Sequence, residues 1–333
     1  MGDKTGIEWT DATWNPVVGC SKVSPGCDNC YAIGQAERIV RMGGKGGAKY
    51  EGTVEPGSGK WTGLVKTSPD TLDQPSRWKR PRRIFVNSMS DLFHPNVPIE
   101  FIADVFVEMA VNPRHQFQIL TKRPQRMADV LGMGTFESLV YSNWFRRTGS
   151  STAVGPPWRW PLPNVWLGTS IESNHYAFRA DHLRNTPAAV RWISAEPLLG
   201  PLDDLDLESI DWVVAGGESG PEARPMKADW VRDLRDHVLD LSCAGCGDRR
   251  GDRQVAEDPT TGPCDWCDGE PIGTAFLFKQ WGNWAPDGHP DKLKRFGRKA
   301  DAGRELDGRT WDEYPDAAAP IPAADFETRQ DSA

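Results

Sequence analysis

The residues best able to do chemistry are the seven cysteines, and their spacing divides them into two groups. Cys243, Cys246, Cys264 and Cys267 form C-x2-C-x17-C-x2-C. Each C-x2-C can fold as a knuckle that aims two thiolates at one point. Two knuckles complete the closed tetrahedron of a structural zinc site. The loop between them, GDRRGDRQVAEDPTTGP, is too polar to pack by itself, so metal binding would supply its folding energy. A rubredoxin-type iron site and a chance spacing of buried thiols are the alternatives.

Cys20, Cys27 and Cys30 form C-x6-C-x2-C, one thiolate short of a closed shell. Iron–sulfur clusters usually take four thiolate ligands, so a cubane held by three leaves one iron with an open position. Chemistry can occur there. A zinc site of three thiolates and one imidazole is the structural rival, although neither His94 nor His115 sits at ligand spacing. Unliganded thiols are the third reading.

Something must position these groups. Short apolar, β-rich runs recur at 14–19, 84–88, 116–121, 165–169, 190–195, 211–215 and 275–279. Most are followed by polar or glycine residues and then by an amphipathic stretch. Over 227–242, for example, Trp230, Val231, Leu234, Val238 and Leu241 share one face at helical spacing. Strand–helix alternation predicts parallel βα units, and six or seven of them predict an α/β fold, a full or partial (β/α) barrel. Binding residues then belong on the loops after the strands. The cysteine triplet falls on the first such loop.

The barrel is expected over 1–242 and 273–300, with the cysteine loop at 20–30 and the zinc-knuckle insertion at 243–272. A C-terminal extension at 301–333 is expected to be disordered after about residue 315, where it becomes rich in alanine and proline. Residues 43–76, rich in glycine, and 128–163 read as loop insertions.

The 333 residues are enough to bury a core without disulfides. No apolar run approaches the roughly 20 residues of a membrane span, and the first residues lack an apolar signal core. A cytoplasmic chain without membrane association is expected, and clustered cysteines there indicate metal. The net charge of −8 excludes a uniformly basic nucleic-acid binder, though not a local basic channel. RWKRPRR at 77–83, WFRR at 144–147 and WRW at 158–160 mix cations with aromatics, a combination suited to stacking on single-stranded or flipped bases. They can equally be solubilising flanks of buried strands. Most of the 15 tryptophans are expected in the core or a pocket wall.

GCSKVSPGCDNCYA, placed after a strand, resembles the cluster loop of radical S-adenosylmethionine (SAM) enzymes, closest to the branch of spore photoproduct lyase and DNA-repair-photolyase-like proteins. IEWTDATWNPVVGC, FVNSMSDLFH, ILTKRP, WLGTSIES, ISAEPLLGPL, GGESGPEARPM and FKQWGNWAP, spread over residues 7–285, resemble a phage-encoded, uncharacterised three-cysteine family distantly related to that branch. The resemblance implies a 4Fe-4S cluster on Cys20, Cys27 and Cys30, with SAM bound to the open iron. Reduction, by a flavodoxin- or ferredoxin-like donor, would cleave SAM to methionine and a 5′-deoxyadenosyl radical that abstracts hydrogen from a substrate. DNA or RNA is the substrate class that this branch suggests.

The resemblance also implies where the SAM-binding residues fall. They are Ser88, Ser90 and Asp91 after the second strand, Lys122 after the third, and Ser170 and Glu172 after the fourth. Ser88 or Ser90 would meet the amino or carboxylate group, Lys122 the carboxylate, and Ser170 or Glu172 the ribose. Glu196 and Glu218, after the fifth and sixth strands, would face cofactor or substrate, unless Arg224 pairs with one of them. Lys279 and Trp281 would close the pocket or belong to the core. Two departures stand out. Most radical SAM enzymes carry C-x3-C-x2-C, and the extra cysteine that the lyase uses as hydrogen donor has no counterpart beside Asn87 and Ser88. The cofactor can carry over without the repair reaction. A zinc protein binding nucleic acid or a partner, and an iron–sulfur redox protein that does not use SAM, are the competing functions.

Overall fold

The computed structural model describes residues 5–149, 158–239, 273–287, 289 and 292–315. The zinc-type cysteines and the tail after 315 lie outside the described residues. The chain divides into two compact units. The first runs through Ser170 and adds Asp181–Arg191; the second takes Ile171–Ala180 and Trp192–Pro315.

In the first unit the chain enters through β1 (Ala12–Trp14) and β2 (Val17–Val18), then α1 (Tyr31–Met42) and α2 (Gly44–Tyr50). Three short strands follow, β3 (Val54–Glu55), β4 (Lys60–Trp61) and β5 (Lys66–Thr67). The βα rhythm then resumes with β6 (Arg83–Val86), α3 (Ile99–Ala110), β7 (Gln116–Thr121), α4 (Pro124–Leu131), α5 (Phe136–Thr148) and β8 (Val165–Ser170). β1, β6, β7 and β8 pair in parallel, with Trp14 opposite Val86, Val86 opposite Ile119 and Ile119 opposite Leu167.

Between the units' sequence segments lie α6 (Arg179–Arg184) and β9 (Val190–Ala195). The second unit continues with β10 (Trp212–Gly216), α7 (Ala228–Leu239) and β11 (Ala275–Gln280). β10 pairs in parallel with both β9 and β11. Within each unit the parallel strands follow one another in chain order, with β2–β5 inserted between β1 and β6, the arrangement that successive βα units build. The mixed α/β, barrel-type expectation holds at that level.

The strands form because their side chains are apolar on both faces. Every residue of β8, β10 and β11 is buried, as parallel strands covered on two sides require. Trp14, Trp166, Trp192 and Trp212 are among the largest fully buried side chains, so the tryptophans do serve the core. Trp192 and Trp212 lie 5.3 Å apart by ring centroid on neighbouring strands. In α7, Val231, Leu234 and Val238 are buried as the periodicity predicts.

Three details differ from the sequence reading. The run 14–19 is two strands: β1 pairs in parallel with β6, whereas β2 pairs antiparallel with β5. Pro16, which has no N–H to donate, lies where the chain changes partner. Residues 43–76 are a folded segment with a helix, the β3–β4 hairpin and β5. Residues 128–163 contain α5 and the end of α4.

Candidate functional site

The cysteine loop follows β2. Gly19 has φ +84, and a Cβ placed there would lie 2.1 Å from the Leu64 carbonyl oxygen. Only glycine lets the loop leave β2 so close to the folded 43–76 segment. Gly19 also bridges Ser90 in parallel, which sets the start of the loop beside the end of β6. Pro25–Cys27 form a 3-10 turn in which the Cys27 N–H donates to Ser24 O at 2.9 Å. Cys30 is the N-cap residue of α1. It packs against an apolar cluster that includes Val18, Ile33, Tyr50 and Met89.

Burial governs the thiols. The Cys20 thiol is pushed up to about 12 chiefly by desolvation, with Asp91 and Cys30 adding and Arg123 opposing. The Cys30 thiol is raised by desolvation and by Cys27, against the backbone N–H groups of α1 and the Lys122 ammonium. Cys20 thus feels Cys30, and Cys30 feels Cys27. Among the described residues, however, no three His, Cys, Asp or Glu side chains converge as ligands of a single ion. Three cysteines on one loop are a donor set that would hold a 4Fe-4S cluster with one iron left open.

Residues from the ends of β6 and β7 brace the loop. Asp91 Oδ1 accepts from the Phe93 N–H at 2.9 Å and the Thr121 hydroxyl at 2.7 Å. Its Oδ2 accepts from Arg123 Nη1 at 2.7 Å and the Lys122 N–H at 3.4 Å. Arg123 Nη2 donates to the Ser21 carbonyl at 3.1 Å and the Ser21 hydroxyl at 2.9 Å, and Nη1 reaches Cys20 Sγ at 3.9 Å. His94 Nε2 lies 2.8 Å from Ser21 Oγ. Because His94 Nδ1 accepts from the Asn96 N–H at 3.2 Å, the ring proton is assigned to Nε2. Burial lowers the His94 pKa, and the cations of Arg123 and Arg126 lower it further against Asp91. His115 lies elsewhere, with Nε2 3.1 Å from the carbonyls of Pro75 and Trp78.

Of the expected SAM-binding residues, five belong to this unit. Ser88 Oγ exchanges hydrogen bonds with the Asn15 amide at 3.3 Å. Ser90 Oγ donates to Val17 O at 2.7 Å, so both hydroxyls tie β6 to the entering chain. Asp91 and Lys122 stand at the cysteine loop, and Ser170 is buried at the end of β8. From sequence, Arg123 and Ser21 carry no role and His94 enters only as an imidazole ligand; the signal for Arg123 is its place in the run Thr121-Lys122-Arg123 directly after β7.

The other three belong to the second unit. Glu172 Oε2 accepts from Arg179 Nη1 at 2.9 Å in a fully buried ion pair. Glu196 accepts from Lys279 Nζ at 2.6 and 2.8 Å and, through Oε1, from Gln280 Nε2 at 3.3 Å. Glu218 is forked by Arg224, whose Nε donates to Oε2 at 2.9 Å and Nη2 to Oε1 at 2.5 Å. Gln280 Nε2 donates to Ser219 Oγ at 2.9 Å, whereas its buried Oε1 has no hydrogen-bond partner among the described residues. Of the two glycines before Glu218, Gly217 permits a close backbone approach. A Cβ on Gly217 would lie 2.0 Å from Trp281 O, and the Gly217 N–H donates to Gln280 O at 2.9 Å. Trp281 is buried, 5.0 Å from Phe278 by ring centroid.

The cation–aromatic segments are partly spent on packing. Trp78 is buried under the Arg82 guanidinium at 5.2 Å, and Arg147 pairs with the buried Glu108 at 2.6 Å. Trp144 meets Trp158 edge-on at 5.3 Å, and Trp160 lies 5.8 Å from Phe106. Lys79 and Arg80 are exposed.

These observations define a class: an α/β protein of repeated parallel βα units, with a three-cysteine loop after the first strand pair. The chain belongs to the family described as "Protein of unknown function (DUF5131)", which it matches over residues 4–244 and 239–315. No curated protein and no solved structure matches it. Among the described residues, no helix is long and apolar enough to cross a membrane.

Proposed function

We propose that the protein is a radical SAM-type enzyme whose 4Fe-4S cluster is held by Cys20, Cys27 and Cys30. The observation that carries this reading is the place of the triplet. Three cysteines sit in the loop that follows β1 and β2, with Cys30 electrostatically sensitive to a neighbouring thiol and Cys20 beside Asp91 and Arg123 from the ends of β6 and β7. That is the end of a βα fold where ligands bind.

Held by Cys20, Cys27 and Cys30, such a cluster would supply one-electron reductive cleavage of bound SAM, with the electron coming from an external donor. The chain's own residues do the rest. Arg123 and Asp91 fix the loop, and the Lys122 ammonium places positive charge near Cys30, where an anionic amino-acid carboxylate would be favoured. Cys20 and Cys30 are half-buried, which restricts water at the sulfurs.

A flavodoxin- or ferredoxin-like protein is the proposed donor, a cytoplasmic setting is proposed with it, and nucleic acid is the proposed substrate class. Exposed Lys79 and Arg80 support phosphate contact, which would weaken steeply with salt. Zinc on Cys243, Cys246, Cys264 and Cys267 is proposed from their spacing alone. The test is anaerobic incubation of the reduced, iron-loaded chain with SAM, followed by chromatography. The reading requires 5′-deoxyadenosine and methionine in equal amounts. A loaded, reducible cluster that leaves SAM intact contradicts it and favours an electron-transfer role.

A further inference from the structure

Arg123 stands where three segments meet. Its guanidinium donates to Asp91 from the end of β6, to both oxygens of Ser21, and toward the sulfur of Cys20. The arginine side chain is 12% exposed and the aspartate 6%, so the pair is held largely out of bulk water. Asp91 is itself fixed by the Phe93 N–H and the Thr121 hydroxyl. A guanidinium offers five donors in a rigid fork, so one side chain can serve a carboxylate, a carbonyl, a hydroxyl and a sulfur together. An ammonium at the same place keeps the charge but not the fork.

We infer that Arg123, braced by Asp91, is a positioning residue for the Cys20 end of the loop, and that its N–H and charge beside the Cys20 sulfur raise the reduction potential of the cluster. The inference rests on the reading of the thiols as cluster ligands. Its physical basis is that hydrogen bonds to ligand sulfurs and local charge are levers on cluster potential. Reduction adds negative charge, and a neighbouring cation stabilises that state.

The test is an electron-paramagnetic-resonance redox titration of the anaerobically reconstituted full chain, with Arg123→Gln and Arg123→Lys alongside. For Arg123→Gln, the reduced-to-oxidised ratio at a given potential should fall about tenfold, a midpoint about 59 mV more negative for a one-electron couple. Arg123→Lys should fall between that value and the wild type. If Arg123→Gln takes up no iron, the lowered midpoint of Arg123→Lys carries the test. Iron loss from both variants with unchanged thermal unfolding supports the positioning role. Iron loss accompanied by collapsed thermal unfolding overturns it in favour of a scaffold role. Variant midpoints equal to the wild type overturn the inference and leave the cluster reading standing. A wild-type chain that takes up no cluster overturns both.

Discussion

Replacing Glu172 by alanine should destabilise the protein by about 3–5 kcal/mol, the usual cost of removing one partner from a buried ion pair. The side chains of Glu172 and Arg179 are 1% and 3% exposed, with 2.9 Å between Oε2 and Nη1. Arg179 also lies over the Tyr176 ring at 4.4 Å, which holds the guanidinium in place when the carboxylate is gone. The alanine variant thus keeps a buried guanidinium that has lost the Glu172 carboxylate. Glu172→Gln retains an acceptor oxygen and should lose less. A double change, Glu172→Leu with Arg179→Met, removes both charges and should recover most of the loss, since apolar replacement of a buried pair is often neutral. Urea unfolding followed by tryptophan fluorescence reads all three. A loss below about 1 kcal/mol for Glu172→Ala would place the pair with weak surface bridges and refute the reasoning. The same variants separate this role from ribose binding. A ligand-only glutamate would weaken SAM affinity while leaving the unfolding curve in place.

Gly282→Ala should greatly reduce soluble yield, because Gly282 has φ +81 and its Cβ would lie 2.1 Å from Glu218 O; a normal yield with an unshifted melting curve contradicts this. Gly19→Ala, against Leu64 O at 2.1 Å and with φ +84, should cost more than the roughly 1–3 kcal/mol of backbone strain alone and should lower iron uptake, read by denaturation and metal analysis. His115 is held neutral in the folded chain, its pKa lowered from 6.5 to about 4, chiefly by burial. The unfolded chain therefore binds this proton first as pH falls, so the associated stability is complete above about pH 6.5 and is lost toward pH 4. His115→Gln should flatten the stability–pH curve in that window, and an unchanged slope would show that other groups dominate it.

The sequence made the strands legible because parallel strands buried on both faces read as apolar runs; β7 and β9 fall where the runs 116–121 and 190–195 lie. It hid the change of partner at Pro16, since WNPVVG looks continuous whether or not both halves pair with the same strand. The segment 43–76 lacks periodicity because its order comes from tertiary contact, such as Leu64 against Gly19. Site charges were legible only by position. Glu218 and Arg224 lie six residues apart, and their pairing was among the readings the sequence offered. Arg123 meets Asp91 across 32 residues and Ser21 across 102, distances at which a cation after a strand cannot be told from a solvated one. The expected SAM ligands Ser88 and Ser90 follow a strand as anticipated, yet their hydroxyls hydrogen-bond within the chain, a use that residue type alone does not reveal.

The central claim is that three thiolates of one loop hold a cluster with a vacant iron. Iron, sulfide and zinc analysis of the anaerobically reconstituted wild type and of Cys27→Ser tests it most directly. The account predicts about four irons and as many sulfides per wild-type chain, with the iron lost and any zinc retained in Cys27→Ser. A colourless wild type that binds zinc alone, or a Cys27→Ser variant that keeps its iron, would contradict it.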